Sequence, residues 1–198
     1  MVRLLLRAEA GVRNATCDFT QPRAEMAEEW REHLSTSSTI SQQDSVEYLE
    51  SALSKWRFYE DRDRAVDSEK ALIQSIKNDS TIDALGMLTI HASWANLKES
   101  LGFCQFRRTW SNNLTIDFLA VHPALLLPKP PISGVGTALL YYVSTLARRI
   151  GAKRVWLETT DVSVNYYSYL FGTSKTSDLL NIPVAKFHKR LTGFFGKK

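Results

Sequence analysis

The sequence predicts an α/β fold in which antiparallel strands lead into a parallel βαβ unit. Three observations carry that expectation. Two apolar, alternating runs, "LGFCQFRRTW" (101–110) and "LTIDFLAV" (114–121), are separated only by "SNN", a spacing that implies an antiparallel hairpin. After the second run, "PISGVGTALL" (131–140) sets Gly134 and Gly136 at the mouth of a helix whose apolar stripe comprises Leu139, Leu140, Val143, Leu146, Ala147 and Ile150. "KRVWLETT" (153–160) then reads as a strand, and a strand, helix and strand in succession close by a right-handed crossover with parallel pairing.

Each element has a local reason. Residues 2–8 and 14–19 read as short strands, and "RAEMAEEWREHL" (23–34) as a helix of good formers. Past a polar break at 35–38, Ser41 is the expected N-cap of a helix with Val46, Leu49, Leu53 and Trp56 at helical spacing. A further helix follows Asp67 and buries Leu72, Ile73 and Ile76. "IDALGMLTIHA" (82–92) is a strand, and in the next one Cys104, Phe106, Arg108 and Trp110 share a face by period two. Four prolines in "HPALLLPKPP" (122–131) exclude a helix interior or central strand and imply an extended loop. Arg148 and Arg149 complement the C-terminal dipole of the following helix, and Gly151 is placed to end it in a left-handed cap. "VSVNYYSYLF" (162–171) reads as a short aromatic helix, and "PVAKFHKRL" (183–191) as a last alternating segment.

Composition narrows the function. With 44% hydrophobic and 23% charged residues the chain is an ordinary globular sequence, and its 198 residues suit one packed domain. A net charge of +4 favours anionic small molecules only mildly and falls short of a dedicated nucleic-acid binder. Two cysteines, Cys17 and Cys104, make no framework and suggest a reducing, cytoplasmic setting. No apolar run approaches membrane-spanning length. The four histidines, His33, His91, His122 and His188, lack ligand spacing, so no metal is expected.

The two glycines cost helix stability where they stand. A helix N-terminus has unpaired amides and partial positive charge, and glycine lets a phosphate reach that backbone. Neither familiar nucleotide signature is complete: Thr137 and Ala138 follow Gly136 where a Walker loop needs Lys then Ser or Thr, and Leu139 occupies the third glycine position of a dinucleotide fingerprint.

Taken together, "LAVHP", "SGVGTALL", "VWLETT" and the tyrosine-bearing segment resemble the GNAT superfamily of acyl-CoA-dependent N-acyltransferases over residues 82–191. Gly134 and Gly136 match the small positions of the family's Gln/Arg-x-x-Gly-x-Gly/Ala loop, with Pro131 where Gln or Arg is usual. The resemblance implies acetyl-CoA as co-substrate, its diphosphate on the amides of Ser133, Gly134, Val135, Gly136 and Thr137 and its pantetheine arm along Leu119 and Val121. It also implies transfer to a primary amine of a small molecule or protein, with residues 1–80 shaping the acceptor side of a single domain spanning 1–198. A silent acyl-CoA-binding regulator is the alternative, a nucleic-acid-associated protein a more remote one, and a homodimer stays open.

Direct attack of an amine on a thioester needs a proton acceptor for the amine and a proton donor for the departing thiolate. By the family pattern, Ser163 aligns with the small position and Tyr167 with the tyrosine acid, with Tyr166 and Tyr169 as other registers. Asp117, on the same face as Leu119 and Val121 by period two, is the first candidate base, and Glu158 on the next parallel strand the second; His122 is a third. The acidic residues Asp44, Glu47, Glu50, Glu60, Asp61 and Asp63 hint at a cationic amine, although a solvated helix face accounts for them too.

Overall fold

The computed structural model describes residues 2–8, 11–161, 163–172 and 178–195. In chain order these form β1 (Val2–Ala8), β2 (Gly11–Phe19), α1 (Glu25–Arg31), α2 (Ile40–Glu60), β3 (Ala65–Val66), α3 (Glu69–Asn78), β4 (Ala84–His91), β5 (Gly102–Arg108) and β6 (Leu114–Val121). There follow β7 (Ile132–Ser133), α4 (Val135–Arg149), β8 (Arg154–Glu158), α5 (Val164–Phe171), β9 (Leu179–Pro183) and α6 (Val184–Phe195). The strands join one sheet in the order β7-β1-β2-β4-β5-β6-β8-β9, with β3 beside β4. Pairing is antiparallel except between β3 and β4 and between β6 and β8. Antiparallel strands thus lead into a parallel βαβ unit, the mixed α/β arrangement that the family resemblance implied. No helix among the described residues is long and apolar enough to cross a membrane.

Both faces of the sheet are covered. Met26 and Trp30 of α1 and Leu49 and Trp56 of α2 pack with Leu85, Met87 and Phe103 on one side. On the other, Leu72 of α3, the apolar stripe of α4 and Phe187 and Leu191 of α6 pack with Leu88, Cys104, Phe106 and Leu157. This double cover explains why β4 and β5 read as nearly continuous apolar runs, because a central strand has no wet face. Each fully buried Leu or Phe contributes roughly 1.5–3 kcal/mol.

Several expectations change. The N-cap of α2 is Thr39 and not Ser41: its side chain accepts from the Gln42 amide while the Gln42 side chain accepts from the Thr39 amide, a capping box. Of the alternating segment expected at 183–191, all but its first residue is helix. β9 ends at Pro183, and Val184, Phe187 and Leu191 are buried at helical spacing on α6. Trp110 leaves its expected face and stands 74% exposed in the turn beyond β5. Inside the Pro-rich loop, Pro123–Leu125 forms a 3-10 turn, and β7 pairs with β1 through Ser133 and Ile132.

One irregularity opens the sheet. Gln105 faces Phe118 and Phe106 faces Ile116, so Asp117 is the extra residue of a β-bulge. Past the bulge β6 stays paired with β5 as far as Val121, whereas β8 pairs only with Leu114, Thr115 and Ile116. Residues 117–121 therefore present an edge that β8 does not cover.

Candidate active site

The mouth of α4 lies beside that uncovered edge. Gly134 is its N-cap at φ 90°, a left-handed conformation in which a side chain would cost about 1–2 kcal/mol, and no side chain caps the helix. The amides of Val135, Gly136 and Thr137 have no acceptor within the helix, and the macrodipole adds positive charge there. Gly136 is a different case. A methyl group placed on it would stand 3.5 Å from the Tyr166 hydroxyl and 3.8 Å from Leu119, ordinary contact distances. The protein's own packing therefore does not require glycine at 136, and what it leaves is bare backbone facing the space lined by Tyr166 and Leu119.

That space is a cavity of about 400 Å³. Leu119 and Val121 of β6 line it, together with Ser133, Gly134, Val135, Gly136 and Thr137 around the start of α4, Tyr166 and Tyr167 of α5, and Asp44 and Tyr48 of α2. Elements from both faces of the sheet meet in it because the β6–β8 splay lets the cavity pass between them. Tyr166 Oη is 3.1 Å from Thr137 Oγ1, and burial pushes the Tyr166 pKa up to about 12 against the lowering effect of that hydrogen bond. Tyr167 is 5% exposed, stacks on Phe171 and meets Tyr166 edge to face. Burial, reinforced by Tyr166, holds its phenol well above the usual range, so both rings keep their protons at neutral pH.

The two expected carboxylates lie elsewhere. Asp117 does not line the cavity: its Oδ2 accepts from Arg107 Nε at 2.8 Å and Lys55 Nζ at 2.9 Å, its Oδ1 from Arg107 Nη2 at 3.1 Å, and its side chain is 6% exposed. The bulge is the reason. It breaks the period-two count, so Asp117 turns toward Lys55 of α2 while Leu119 packs on the opposite side, within the core that contains α4. In return Asp117 holds the Arg107 guanidinium well above its ordinary range. Glu158 is exposed at the end of β8 and also stands outside the cavity lining. His122 is fully buried with its ring edge on Trp30 and does not line the cavity. Tyr169 is 73% exposed on the outer side of α5.

Among the described residues that line the cavity, the only carboxylate is Asp44. The sequence does hold a signal for it: Ser41, Asp44, Ser45 and Tyr48 recur at i, i+3, i+4 and i+7, a polar stripe running beside the apolar stripe of α2, and all four line the cavity.

No protein-family model matches the sequence, and comparison with curated proteins gives no match. Among solved structures the chain is similar to nourseothricin acetyltransferase, at 21% identity and TM-score 0.38, over 50% of this chain and 65% of the length of that one. It is similar also to an acetyltransferase of the GNAT family from Staphylococcus aureus, at 10% identity and TM-score 0.44, over 85% of this chain and 99% of that one. KacTA, solved in a complex with DNA, aligns at 12% identity and TM-score 0.47 over 93% and 99% of the respective chains. The likeness is one of fold.

Proposed function

We propose that the chain is an acyl-CoA-dependent N-acetyltransferase, moving an acetyl group from acetyl-CoA to a primary amine by direct attack. One observation carries the reading: a single cavity joins unpaired helix-start amides, an uncovered strand edge and two protonated tyrosines. The amides of Val135, Gly136 and Thr137 suit a diphosphate, and the absence of a side chain at Gly136 lets it approach. The edge of residues 117–121 offers backbone groups to an extended amide-bearing arm, which would add to the sheet as a strand does.

In the transfer, the amine nitrogen bonds to the thioester carbon, the C–S bond breaks, the sulfur leaves as thiolate and the nitrogen loses a proton. Tyr167 is assigned as hydrogen-bond donor to the departing sulfur, since a phenol that holds its proton so firmly can donate but cannot act as a base. Asp44 replaces Asp117 and Glu158 as the carboxylate that receives the amine, attracting its cationic form and taking up its proton directly or through water. With the ring of Tyr48 beside it, the acceptor side suits a small cationic amine or a lysine side chain.

The test is a melt of the purified chain with rising acetyl-CoA. At a hundred times Kd, binding stabilises by about 2.7 kcal/mol, a rise of roughly 5–10 °C for a chain of this length. No shift at millimolar acetyl-CoA overturns the reading. The two carboxylates found outside the cavity favour one second reading, a silent acyl-CoA-binding regulator. Thiol release over a panel of amines separates the two, because the regulator would bind acetyl-CoA and release none.

A further inference from the structure

Away from that cavity, three ligand-type side chains from distant parts of the chain converge: His33 beyond the end of α1, Glu99 in the connection between β4 and β5, and His122 directly after β6. Their donor atoms all lie within 4.8 Å of one another, and His33 Nε2 is 3.9 Å from Glu99 Oε1. Tetrahedral ligands about 2.1 Å from a zinc ion stand roughly 3.4 Å apart, so a small contraction would bring this set onto a shared ion. We propose that His33, Glu99 and His122 form a site for a divalent first-row transition ion, zinc being the best match, held by two imidazoles and one carboxylate with a fourth position open to solvent.

A second observation points the same way. His122 is 0% exposed, and its Nε2 has no hydrogen-bond partner among the described residues. A buried polar nitrogen without a partner is costly and uncommon. The other ring nitrogen, Nδ1, accepts from the Ala124 amide at 3.2 Å, so without an ion the ring proton sits on Nε2. An ion would bond to Nε2 and the ring proton would pass to Nδ1, leaving the imidazole neutral and taking the acceptor away from the Ala124 amide. Loading thus carries a local signature in the 3-10 turn. Burial already disfavours the cationic ring, with His33 adding to the effect and Glu99 opposing it.

The surroundings suit the assignment. Trp30, 1% exposed, walls the inner side with its ring 5.2 Å from that of His122, and the rings of His33 and His122 are 4.5 Å apart. The side chains of His33 and Glu99 are 31% and 22% exposed, which gives an ion a way in from solvent. A bound ion would tie together α1, the β4–β5 connection and the start of the Pro-rich loop, whose Leu125, Leu126 and Pro130 wall the cavity. Two imidazoles and a carboxylate are a donor set that zinc accepts readily, whereas calcium and magnesium prefer oxygen alone.

The test uses the untagged full chain, stripped with chelator and dialysed against zinc chloride, with metal counted by mass spectrometry. One zinc per chain at micromolar free zinc is expected, weakened at least tenfold by His33→Ala and by Glu99→Gln. Both substitutions sit at partly exposed positions, and zinc-free melting curves check that the fold persists. In proton–nitrogen spectra the Ala124 amide should shift with zinc in the parent and not in the variants, and cobalt should give nitrogen/oxygen ligand-field bands. The proposal is overturned by no binding at tens of micromolar zinc, by variants that bind like the parent, or by cobalt–thiolate charge transfer, which would place the ion on Cys17 or Cys104. None of these readouts depends on acetyl transfer, so this site and the acetyl-CoA cavity stand or fall separately.

Discussion

The two halves of β6 obey the same backbone chemistry and end in opposite states. Leu114, Thr115 and Ile116 pair with β5 on one side and β8 on the other. From Phe118 to Val121 the β5 partner continues and the β8 partner is gone. Backbone N–H and C=O groups need partners, and those of the second half that β8 does not cover lie at the cavity and not against a neighbouring strand. The first half builds the sheet and the second builds the cavity. The residue at the junction, Asp117, belongs to the first.

The largest expected effect comes from breaking that junction. Asp117→Asn leaves Arg107 and Lys55 facing a neutral amide in a site where the aspartate side chain is 6% exposed. Removing one partner of such a buried pair costs about 3 kcal/mol, read as a lower urea midpoint at unchanged slope. Coenzyme affinity should barely move. A variant with normal stability and a collapsed turnover would instead make Asp117 the base and reverse the division between the halves.

Next in size is Tyr167→Phe. It removes a hydroxyl in the cavity while keeping the ring that stacks on Phe171, so the fold should hold, and turnover should fall roughly 100-fold with acetyl-CoA affinity within about twofold. The pH profile sharpens the assignment. A phenol whose pKa is raised stays protonated as the pH passes the ordinary tyrosine value of about 10; with Tyr166 pushed up to about 12 and Tyr167 raised in the same direction, no alkaline fall in rate should appear below about pH 10. A descending limb near pH 8 that vanishes in the phenylalanine variant would contradict the burial argument.

What could be read in advance followed the range of the forces involved. The β5–β6 hairpin, the βαβ unit, the left-handed Gly151 after α4 and the glycine pair at the start of that helix are set by neighbours a few residues apart, and each is visible in the chain. The bulge at Asp117 depends on how β5 meets β6, so period two kept counting through a place where the backbone did not. Residues 183–191 satisfy both periods, and burial of Val184, Phe187 and Leu191 against the sheet decided for the helix. The Thr39 cap was obscured by a serine two residues on, although its Gln42 partner stood in plain view. The His33, Glu99 and His122 cluster has no ligand spacing because tertiary contact alone assembles it.

The smallest effect tests the open half most directly. Gly134 and Gly136 look equivalent in the sequence and differ in the structure: one holds a left-handed backbone, the other is an ordinary helical residue whose added methyl would only touch its neighbours. For Gly136→Ala the new methyl meets only Tyr166 and Leu119 at contact distance, and alanine is the better helix former, so stability should be unchanged or up to about 1 kcal/mol higher. The same methyl would stand between the amides and an approaching diphosphate. Titration calorimetry should then show acetyl-CoA binding about tenfold more weakly, a loss of about 1.4 kcal/mol in a protein that melts no lower. Stability and affinity moving in opposite directions is a result that packing alone cannot produce; full affinity in a stabilised variant would mean that the diphosphate lies elsewhere.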